Sequence, residues 1–301
     1  MDIRTLRYFL AVAEERNITR AAEYLCIAQP SLSKQMQNLE DEIGSKLFER
    51  GSRTITLTET GMILKKRAEE ILDLVEKTET ELSSPGGAAG EVRIGGGESY
   101  AVCTVAHAAR KTQEEFPEVT FEFFSGDADT VMEKLEAGLI DFGIFVDLKD
   151  LGKYNSMRLP HSDTWGALVR KDSPLAEKES VSAEDLKNIP LLLSRQAKRR
   201  DSELYKWFGG NLEKFNVRAR YNLIYNATLM VKEGMGVALT LDKLVNTTGD
   251  SDLVFIPLKP KLETHLDIVW KKYSILSKAS EAFLKNLEYV IGGGSAAPSE
   301  A

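Results

Sequence analysis

A short stretch of small and polar residues divides this chain into two parts with different patterns. Residues 83–90 read SSPGGAAG, which offers nothing to a hydrophobic core and is typical of a linker. Before this stretch the apolar residues recur at helical spacings, whereas after it short β-branched runs alternate with helical segments. A chain of 301 residues is long enough for two domains. The sequence therefore predicts a small helical domain followed by a larger α/β domain.

Residues 17–44 predict two short helices joined by a tight turn. Pro30 suits the first turn of the second helix, because its nitrogen would have no intrahelical partner there. An apolar stripe on that helix is formed by Leu32, Met36, Leu39 and Ile43. The remaining face carries groups that suit base and phosphate contacts, namely Gln29, Ser31, Ser33, Lys34, Gln35 and Asn38. A helix-turn-helix that enters the major groove explains both faces, although an ordinary α-rich domain can show the same pattern.

A strand-like alternation follows this helix pair, and residues 45–58 predict a short hairpin, or wing. Arg50 and Arg53 flank its turn, where they can reach a minor groove or phosphates. The alternative is a solvated hairpin whose arginines serve solubility.

Residues 59–82 then form a helical pattern whose apolar positions average about 3.5 residues apart, the coiled-coil period. Because the opposite face is charged, we expect this helix to pair with a second copy through Leu64, Ala68, Ile71, Val75 and Leu82.

Beyond residue 90 the predicted strands and helices alternate, which favours two sheets with helices on their faces. Among them are a strand at 164–169, a brief helix at 183–187 and a helix at 227–233.

Composition and charge narrow the function classes. The net charge is −7, so affinity for nucleic acid would depend on a local basic patch, which residues 46–67 supply. No apolar run approaches the roughly 20 residues of a membrane span, and the charged amphipathic start is unlike a signal peptide. We therefore expect a cytoplasmic protein without a membrane partner.

The residues that usually carry catalysis form no recognisable arrangement. Cys26 and Cys103 offer no disulfide framework or metal spacing, and His107, His161 and His265 are scattered. No nucleophile elbow is present. We expect neither an enzyme nor a bound metal or cofactor.

Four segments resemble the LysR-type transcriptional regulators: AAEYL (21–25), AQPSLSKQMQNLEDEIG (28–44), LFERGSRTITLTETG (47–61) and EAGLIDFGI (136–144). The resemblance extends over residues 1–291. It implies an α/β protein with an N-terminal winged helix-turn-helix, a long linker helix and a two-lobed periplasmic-binding-protein-like effector domain. The corresponding boundaries are 1–58 for the DNA-binding domain, 59–90 for the linker helix and hinge, and 91–291 for the effector domain. Within the latter, lobe I comprises 91–161 and 267–291, lobe II comprises 162–266, and residues 292–301 form a disordered tail.

The resemblance also implies partners and roles. It predicts a homodimer or homotetramer that binds double-stranded promoter DNA as paired dimers, with RNA polymerase as a further candidate partner. By the same pattern Gln29, Pro30, Ser31, Ser33 and Lys34 face the major groove, and Arg53 lies in the wing. The family often has arginine where this chain has Lys34, and lysine lacks the bidentate fork that reads guanine. The alternative is a small-molecule binding protein that uses its N-terminal helices only for assembly.

The effector is expected where strands end and helices begin in the two lobes, because helix N-termini present free N–H groups there. The candidate residues are Gly97, Glu98, Ser99, Ser125, Asp127, Ser194, Arg195, Asn226 and Thr228. For any single loop, plain turn and capping chemistry is the alternative. Ser99, Arg195 and Thr228 suit a carboxylate. Glu98 and Asp127 would repel one, or could hold an amino group, so a carboxylate and an amino acid both remain candidates.

Overall fold

The computed structural model describes residues 1–50, 54–82, 87–146, 152–199 and 202–293, and the side chains of Arg50 and Glu81 are not part of that description. The chain divides into two compact units, Met1–Pro85 and Gly86–Ala301. The hydrophobic clusters fall within one unit or the other. The predicted wing residue Arg53, the first half of the predicted linker and nearly all of the predicted tail lie outside the described residues.

The first unit is a winged helix-turn-helix with a long helix after it, as the sequence predicts. Its elements are α1 (Ile3–Glu15), α2 (Ile18–Tyr24), α3 (Gln29–Ile43), β1 (Phe48–Arg50), β2 (Ile55–Leu57) and α4 (Glu59–Leu82). The side chains of Asp2 and Asn17 accept hydrogen bonds from the first free N–H groups of α1 and α2, which fixes where these helices begin. Strands β1 and β2 pair antiparallel.

Helix α4 packs against the core of its own unit. Ala68 is fully buried, and Leu64 and Ile71 contact the same cluster. The backbone also approaches closely at Gly61, where a Cβ atom would lie 2.1 Å from the carbonyl oxygen of Leu47. The predicted pairing stripe needs correction at these three positions, because Ala68 is buried in its own unit and Leu64 and Ile71 are half-buried against the same core. Pairing of α4 with a second copy stays a prediction. The apolar side chains that α4 does expose are Met62, Ile63, Leu74 and Leu82.

The second unit is an α/β structure built around a long, hydrogen-bonded run of strands. Its helices are α5 (Val102–Glu115), α6 (Ala128–Ala137), α7 (Glu203–Trp207), α8 (Ile224–Lys232) and α9 (Lys278–Ile291). Its strands are β3 (Gly90–Gly96), β4 (Val119–Ser125), β5 (Phe142–Val146), β6 (Tyr154–Arg170), β7 (Val181–Ser182), β8 (Leu191–Ser194), β9 (Val217–Tyr221), β10 (Val237–Leu241), β11 (Leu253–Lys259) and β12 (Glu263–Lys271).

Strand β6 joins the two lobes. It is 17 residues long, far longer than the predicted strand at 164–169. Its first part pairs with β12 in lobe I, and residues 165–170 pair with β10 and β11 in lobe II. The strand order β4-β3-β5-β12-β6-β10-β8-β9 is consequently continuous, instead of two separate sheets. The sequence did not predict the first part of β6, because its residues are mostly polar and contain no β-branched run.

Helices cover both faces of the sheet in each lobe. Neighbouring residues of one strand enter different cores, as in β6, where Leu168 faces one cluster and Ala167 and Val169 face another. In lobe I, α5 and α9 pack on one face and α6 on the other. This layering leaves the ends of the parallel strands β3, β4, β8 and β9 as the places where polar residues gather.

Two predicted helices need correction. Helix α8 begins at Ile224, three residues before the predicted 227–233 helix, so Asn226 lies inside the helix and not before it. The brief helix predicted at 183–187 is a single 3₁₀ turn at Glu184–Leu186. In the part of the chain described here, no helix is long and apolar enough to cross a membrane.

Candidate DNA-binding surface and effector cleft

The first turns of α3 present a polar surface to solvent. Gln29, Pro30, Ser31 and Lys34 are exposed and Ser33 is half-buried, while Leu32, Met36 and Leu39 fill the core beneath. Ala28, the residue before α3, makes no side-chain cap, and its carbonyl accepts hydrogen bonds from the N–H groups of Ser31 (3.0 Å) and Leu32 (3.2 Å). Within the described residues, the side chains of Gln29, Ser31 and Lys34 make no hydrogen bond or ion pair. The helix therefore offers donors and acceptors that are not used in folding.

Glu40 fixes the wing relative to the end of α3. Its carboxylate accepts hydrogen bonds from the backbone N–H groups of Leu47 (2.9 Å) and Phe48 (3.3 Å) and from the Lys46 ammonium (2.6 Å). Burial alone would raise the pKa of Glu40, but these hydrogen bonds outweigh it and hold the pKa below its usual value. The backbone N–H of Ile55 also donates to the carbonyl of Arg16 (2.9 Å), so β2 is tied to the end of α1.

The basic side chains of residues 46–67 are less available for contacts with DNA than the sequence suggests, because several of them form ion pairs. Lys46 pairs with Glu40, Lys65 with Glu69 (3.4 Å) and Arg67 with Glu70 (2.6 Å). Such exposed pairs are weak and can exchange for phosphate contacts. Lys34, by contrast, enters no ion pair with a described residue, which makes it the cation of α3 that is free for a phosphate.

In the second unit, a cleft opens between the lobes at the ends of four strands. The loop Gly97–Tyr100 follows β3, Asp127 follows β4 and caps α6, Ser194 ends β8, and Asn222 follows β9. Asp127 accepts hydrogen bonds from Thr130 N (3.0 Å) and Oγ1 (2.7 Å). These bonds lower the pKa of Asp127, and the positive charges of Arg195 and Arg199 lower it further. Acidic groups of lobe I thus face basic groups of lobe II.

Two adjoining cavities occupy this cleft. One has a volume of 110 Å³ and the other 360 Å³. The predicted residues Gly97, Glu98, Asp127, Ser194 and Arg195 line the smaller cavity. Gly97 and Glu98 also line the larger cavity, together with Ser99 and Ser125. Asn226 and Thr228 belong to neither lining among the described residues, because α8 begins earlier than predicted and turns them away.

Two of the groups predicted to suit a carboxylate already have partners. The Ser99 hydroxyl donates to Asp163 Oδ2 (2.5 Å), and the Thr228 hydroxyl donates to the carbonyl of Ile224 (3.0 Å). Arg195 makes no hydrogen bond or ion pair with a described residue. Of the three groups, only Arg195 is therefore ready to receive an anion in this conformation.

Asp163 is a fully buried carboxyl group on β6, at the point where that strand passes from one lobe to the other. Its Oδ1 atom has no hydrogen-bond partner among the described residues. Burial raises the pKa of Asp163, and the nearby charge of Asp242 adds to the rise, against the lowering effect of the Ser99 hydrogen bond. The sequence analysis did not single this residue out, since a lone aspartate in a strand carries no recognisable signal.

Besides the Ser99–Asp163 hydrogen bond, the described residues include two further polar contacts between the lobes. Glu98 Oε2 accepts a hydrogen bond from the backbone N–H of Ile224 at 2.5 Å. At the exposed rim, the guanidinium of Arg199 pairs with Asp129 at 2.7 Å. Since Glu98 and Ile224 are 126 positions apart, no local pattern could have predicted their contact.

The sequence analysis also missed the apolar lining of the smaller cavity. The side chains concerned are Ile144, Phe145, Trp165, Tyr221, Leu241, Leu244 and Leu266. Their positions are scattered over more than a hundred residues, so apolar character alone could not distinguish them from core residues. Burial raises the pKa of Tyr221, and the charge of Glu98 adds to that effect.

Two family models match this chain, and both describe the LysR family. The model of the bacterial regulatory helix-turn-helix proteins of the lysR family matches residues 3–62, and that of the LysR substrate binding domain matches residues 85–290. The transcriptional regulator BsdA of Bacillus subtilis is 30% identical over 295 residues, covering 94% of this chain and 99% of BsdA. The dual regulator OxyR of Escherichia coli is 27% identical, with 93% of each chain covered.

Solved structures give the same result for the fold. Full-length CbnR in complex with its target DNA superposes with a TM-score of 0.74 at 20% identity, covering 96% of this chain and all of that one. Full-length BenM gives a TM-score of 0.52 at 25% identity, covering 99% of this chain and all of BenM. The chain belongs to the LysR family, and it is a LysR-type transcriptional regulator with an N-terminal helix-turn-helix and an effector-binding domain.

Proposed function

We propose that this regulator binds promoter DNA as a dimer of dimers and responds to a small-molecule effector held between its two α/β lobes. The observation that carries the proposal is the surface of α3, where Gln29, Ser31 and Lys34 are exposed and make no hydrogen bond or ion pair with described residues. In a helix-turn-helix, exposed donors and acceptors in the first turns of the second helix are the groups that reach base edges and phosphates. Similarity to CbnR, which is known in complex with its target DNA, supports the same reading.

Within this proposal, Gln29, Pro30, Ser31, Ser33 and Lys34 contact the major groove, and Arg50 and Arg53 contact the DNA from the wing. Gln29 lies in the first turn of α3, whose N-terminal residues are those that a recognition helix presents to base edges. Glutamine can read adenine through its amide, whereas Lys34 supplies charge to a phosphate.

Assembly is proposed to use α4. The apolar side chains that this helix exposes are Met62, Ile63, Leu74 and Leu82. Exposed apolar groups on a long helix favour association with a second helix. Two copies would double the number of DNA contacts, which an acidic chain of net charge −7 needs for tight binding.

The effector is proposed to be a small molecule with an apolar body and a carboxylate, either a simple carboxylate or an amino acid. The cleft combines apolar side chains such as Trp165 and Phe145 with a few convergent polar groups, as ligand sites do. Arg195 lines the smaller cavity and is proposed to pair with the carboxylate. Asp127 lines the same cavity and favours an additional amino group, if the ligand carries one.

Binding to the DNA fragment upstream of its own coding region tests the proposal. We expect the protein to retard that fragment far better than random DNA of equal length, with an affinity that falls steeply as salt rises. Gln29→Ala should weaken specific binding by about 1 to 3 kcal/mol per half-site, roughly 5- to 150-fold, because a base contact is lost.

The matched control is Gln37→Ala, which removes the same side chain from an exposed position two turns further along α3. It should leave the affinity nearly unchanged. Equal retardation of the upstream fragment and random DNA, or equal losses for both variants, would count against the proposed surface.

A further inference from the structure

Glu98 forms an unusual cap on helix α8. The residue before the helix, Leu223, provides no side-chain cap, and the carboxylate of Glu98 takes that place with a 2.5 Å hydrogen bond from the N–H of Ile224. The first N–H groups of a helix and its dipole stabilise a negative charge. The cap does not come from the neighbouring sequence. Glu98 belongs to the loop after β3 in lobe I, so one carboxylate both caps α8 and joins the lobes.

The other capped segments of the cleft differ in this respect. Asp127 caps α6 within lobe I, and Ser194 caps the 3₁₀ turn after β8 within lobe II. Neither contact depends on the separation of the lobes. The N–H of Ile224 at the start of α8 is thus satisfied from across the cleft, and opening the lobes would expose it.

Glu98 also stands at the boundary of the two cavities. It lines both the 110 Å³ and the 360 Å³ volumes, and so do Gly97, Ile144, Ile224 and Leu244. The larger volume is within the range of small-molecule sites. Withdrawal of one half-buried side chain from Ile224 would therefore connect the cavities and free a helix N-terminus that faces them.

We propose that the carboxylate of Glu98 occupies the position that a ligand carboxylate takes when the effector binds. It holds the lobes together when no ligand is bound, and a ligand carboxylate takes over the N–H of Ile224 while Glu98 withdraws. This inference rests on the proposed function, in which the cleft holds the effector. It defines the competition at that site: an anionic ligand must displace an anionic side chain, so Glu98 sets both the ligand class and the concentration at which the cleft responds.

Chemical rescue with potassium acetate tests the inference on the full chain. In Glu98→Ala the start of α8 loses its carboxylate, and added acetate can occupy the same place. Unfolding is followed by tryptophan fluorescence, because all three tryptophans (Trp165, Trp207 and Trp270) lie in the second unit. We expect acetate, compared with potassium chloride at equal ionic strength, to raise the Tm of Glu98→Ala saturably and to leave that of the wild type nearly unchanged.

Two further variants make the result specific. Glu98→Gln keeps an acceptor oxygen but loses the charge, so its response to acetate should lie between those of the wild type and Glu98→Ala; it also provides the test if the alanine variant does not fold. Glu179→Ala removes an exposed carboxylate elsewhere in the unit and should respond as the wild type does. Acetamide, the uncharged analogue of acetate, should rescue none of them.

The inference is overturned if acetate raises the Tm of all variants equally, or of none. The DNA-retardation experiment is independent of this one, because acetate rescue is read without DNA. If acetate does not rescue Glu98→Ala but promoter binding is intact, only the role proposed for Glu98 is refuted. If promoter binding fails, the proposed function is refuted.

Discussion

The two units place their candidate functional residues very differently along the chain. In the first unit, Gln29 to Lys34 lie within two turns of one helix, and the helix period alone brings them to one face. In the second unit, Glu98 meets Ile224 across 126 positions and Ser99 meets Asp163 across 64. A surface built on one helix can be read from local sequence. A cleft built from strand ends exists only once the sheet has formed.

The difference also concerns how each unit is stabilised. The first unit has one small core between helices and a wing, with Phe9 buried at its centre. The second has cores on both faces of a sheet that β6 makes continuous. If the units depend on separate cores, then a defect in one should leave the other folded, and the following changes test that separation.

The largest expected effect comes from emptying a core. Phe9 is fully buried, and its ring centre lies 5.3 Å from that of Phe48. Phe9→Ala should destabilise the first unit by about 3 to 5 kcal/mol, because a large cavity remains. Far-UV circular dichroism should show an early transition, whereas tryptophan fluorescence, which reports the second unit, should keep its wild-type midpoint.

The matched variant is Phe283→Ala, which empties an equally buried site in the second unit. It should lower the midpoint of the tryptophan transition. At temperatures below that transition the variant should still retard DNA, because the first unit remains folded. Equal shifts of the tryptophan midpoint in both variants would contradict separate cores.

The next effect concerns the buried carboxyl at the crossing between the lobes. Because the pKa of Asp163 is raised in the folded state, folding favours its protonated form, and its contribution to stability is lost as pH rises from the unfolded pKa through the folded one. Asp163→Asn removes the charge and keeps an acceptor for Ser99. At pH values above the pKa that Asp163 has in the unfolded state, the variant should therefore have a higher free energy of unfolding. The expected gain is about 1 to 3 kcal/mol, which is the cost of burying an unpaired polar atom.

This gain is measured by urea unfolding with tryptophan fluorescence across a pH series. The difference between Asp163→Asn and the wild type should grow as pH rises and vanish at acidic pH, where both side chains are neutral. The same replacement at the exposed Asp250 should show no such trend. A constant difference at all pH values would show that shape, and not charge, is responsible.

The smallest effect is at a helix cap of the first unit. The side chain of Asn17 accepts hydrogen bonds from the N–H groups of Thr19 (2.8 Å) and Arg20 (3.1 Å). Asn17→Ala should cost about 1 kcal/mol, measured as a lower midpoint of the circular-dichroism transition. Asn246→Ala, which removes a turn asparagine from the second unit, should leave that transition in place. A larger loss for Asn246→Ala in the first unit would again argue against separation.

Much of the fold was predictable because it depends on local patterns. Pro30 and the apolar stripe predicted α3 to within a residue of its ends, and the alternation at residues 55–57 predicted β2. The length of β6 was not predictable, since the residues before Thr164 are polar and gain their strand conformation from pairing with β12. The stripe of α4 was misjudged for a similar reason, because only packing shows that Leu64, Ala68 and Ile71 face their own unit.

The candidate site divides in the same way. Loops with Gly, Ser, Asp and Arg at strand ends drew attention to Glu98, Asp127 and Arg195, which line the smaller cavity, and their role in binding an effector stays a prediction. Thr228 and Asn226 were drawn in by the same chemistry, although α8 turns them away from the cavities. Residue type can suggest that a polar group belongs to a site, but the residue at which a helix begins determines the direction in which that group points.

The sequence by itself determined the order of the parts: a helix-turn-helix with a wing, a long helix, a break and an α/β region. It did so because helix and strand periods, caps and linkers act over a few residues. Tertiary structure alone decided that Glu98 caps α8 across the cleft, that Asp163 Oδ1 is buried without a partner among the described residues, and that three of the five residues of the α4 stripe pack on their own unit. Those features arise from contacts between distant segments, whose geometry is set only when the sheet and the cores pack.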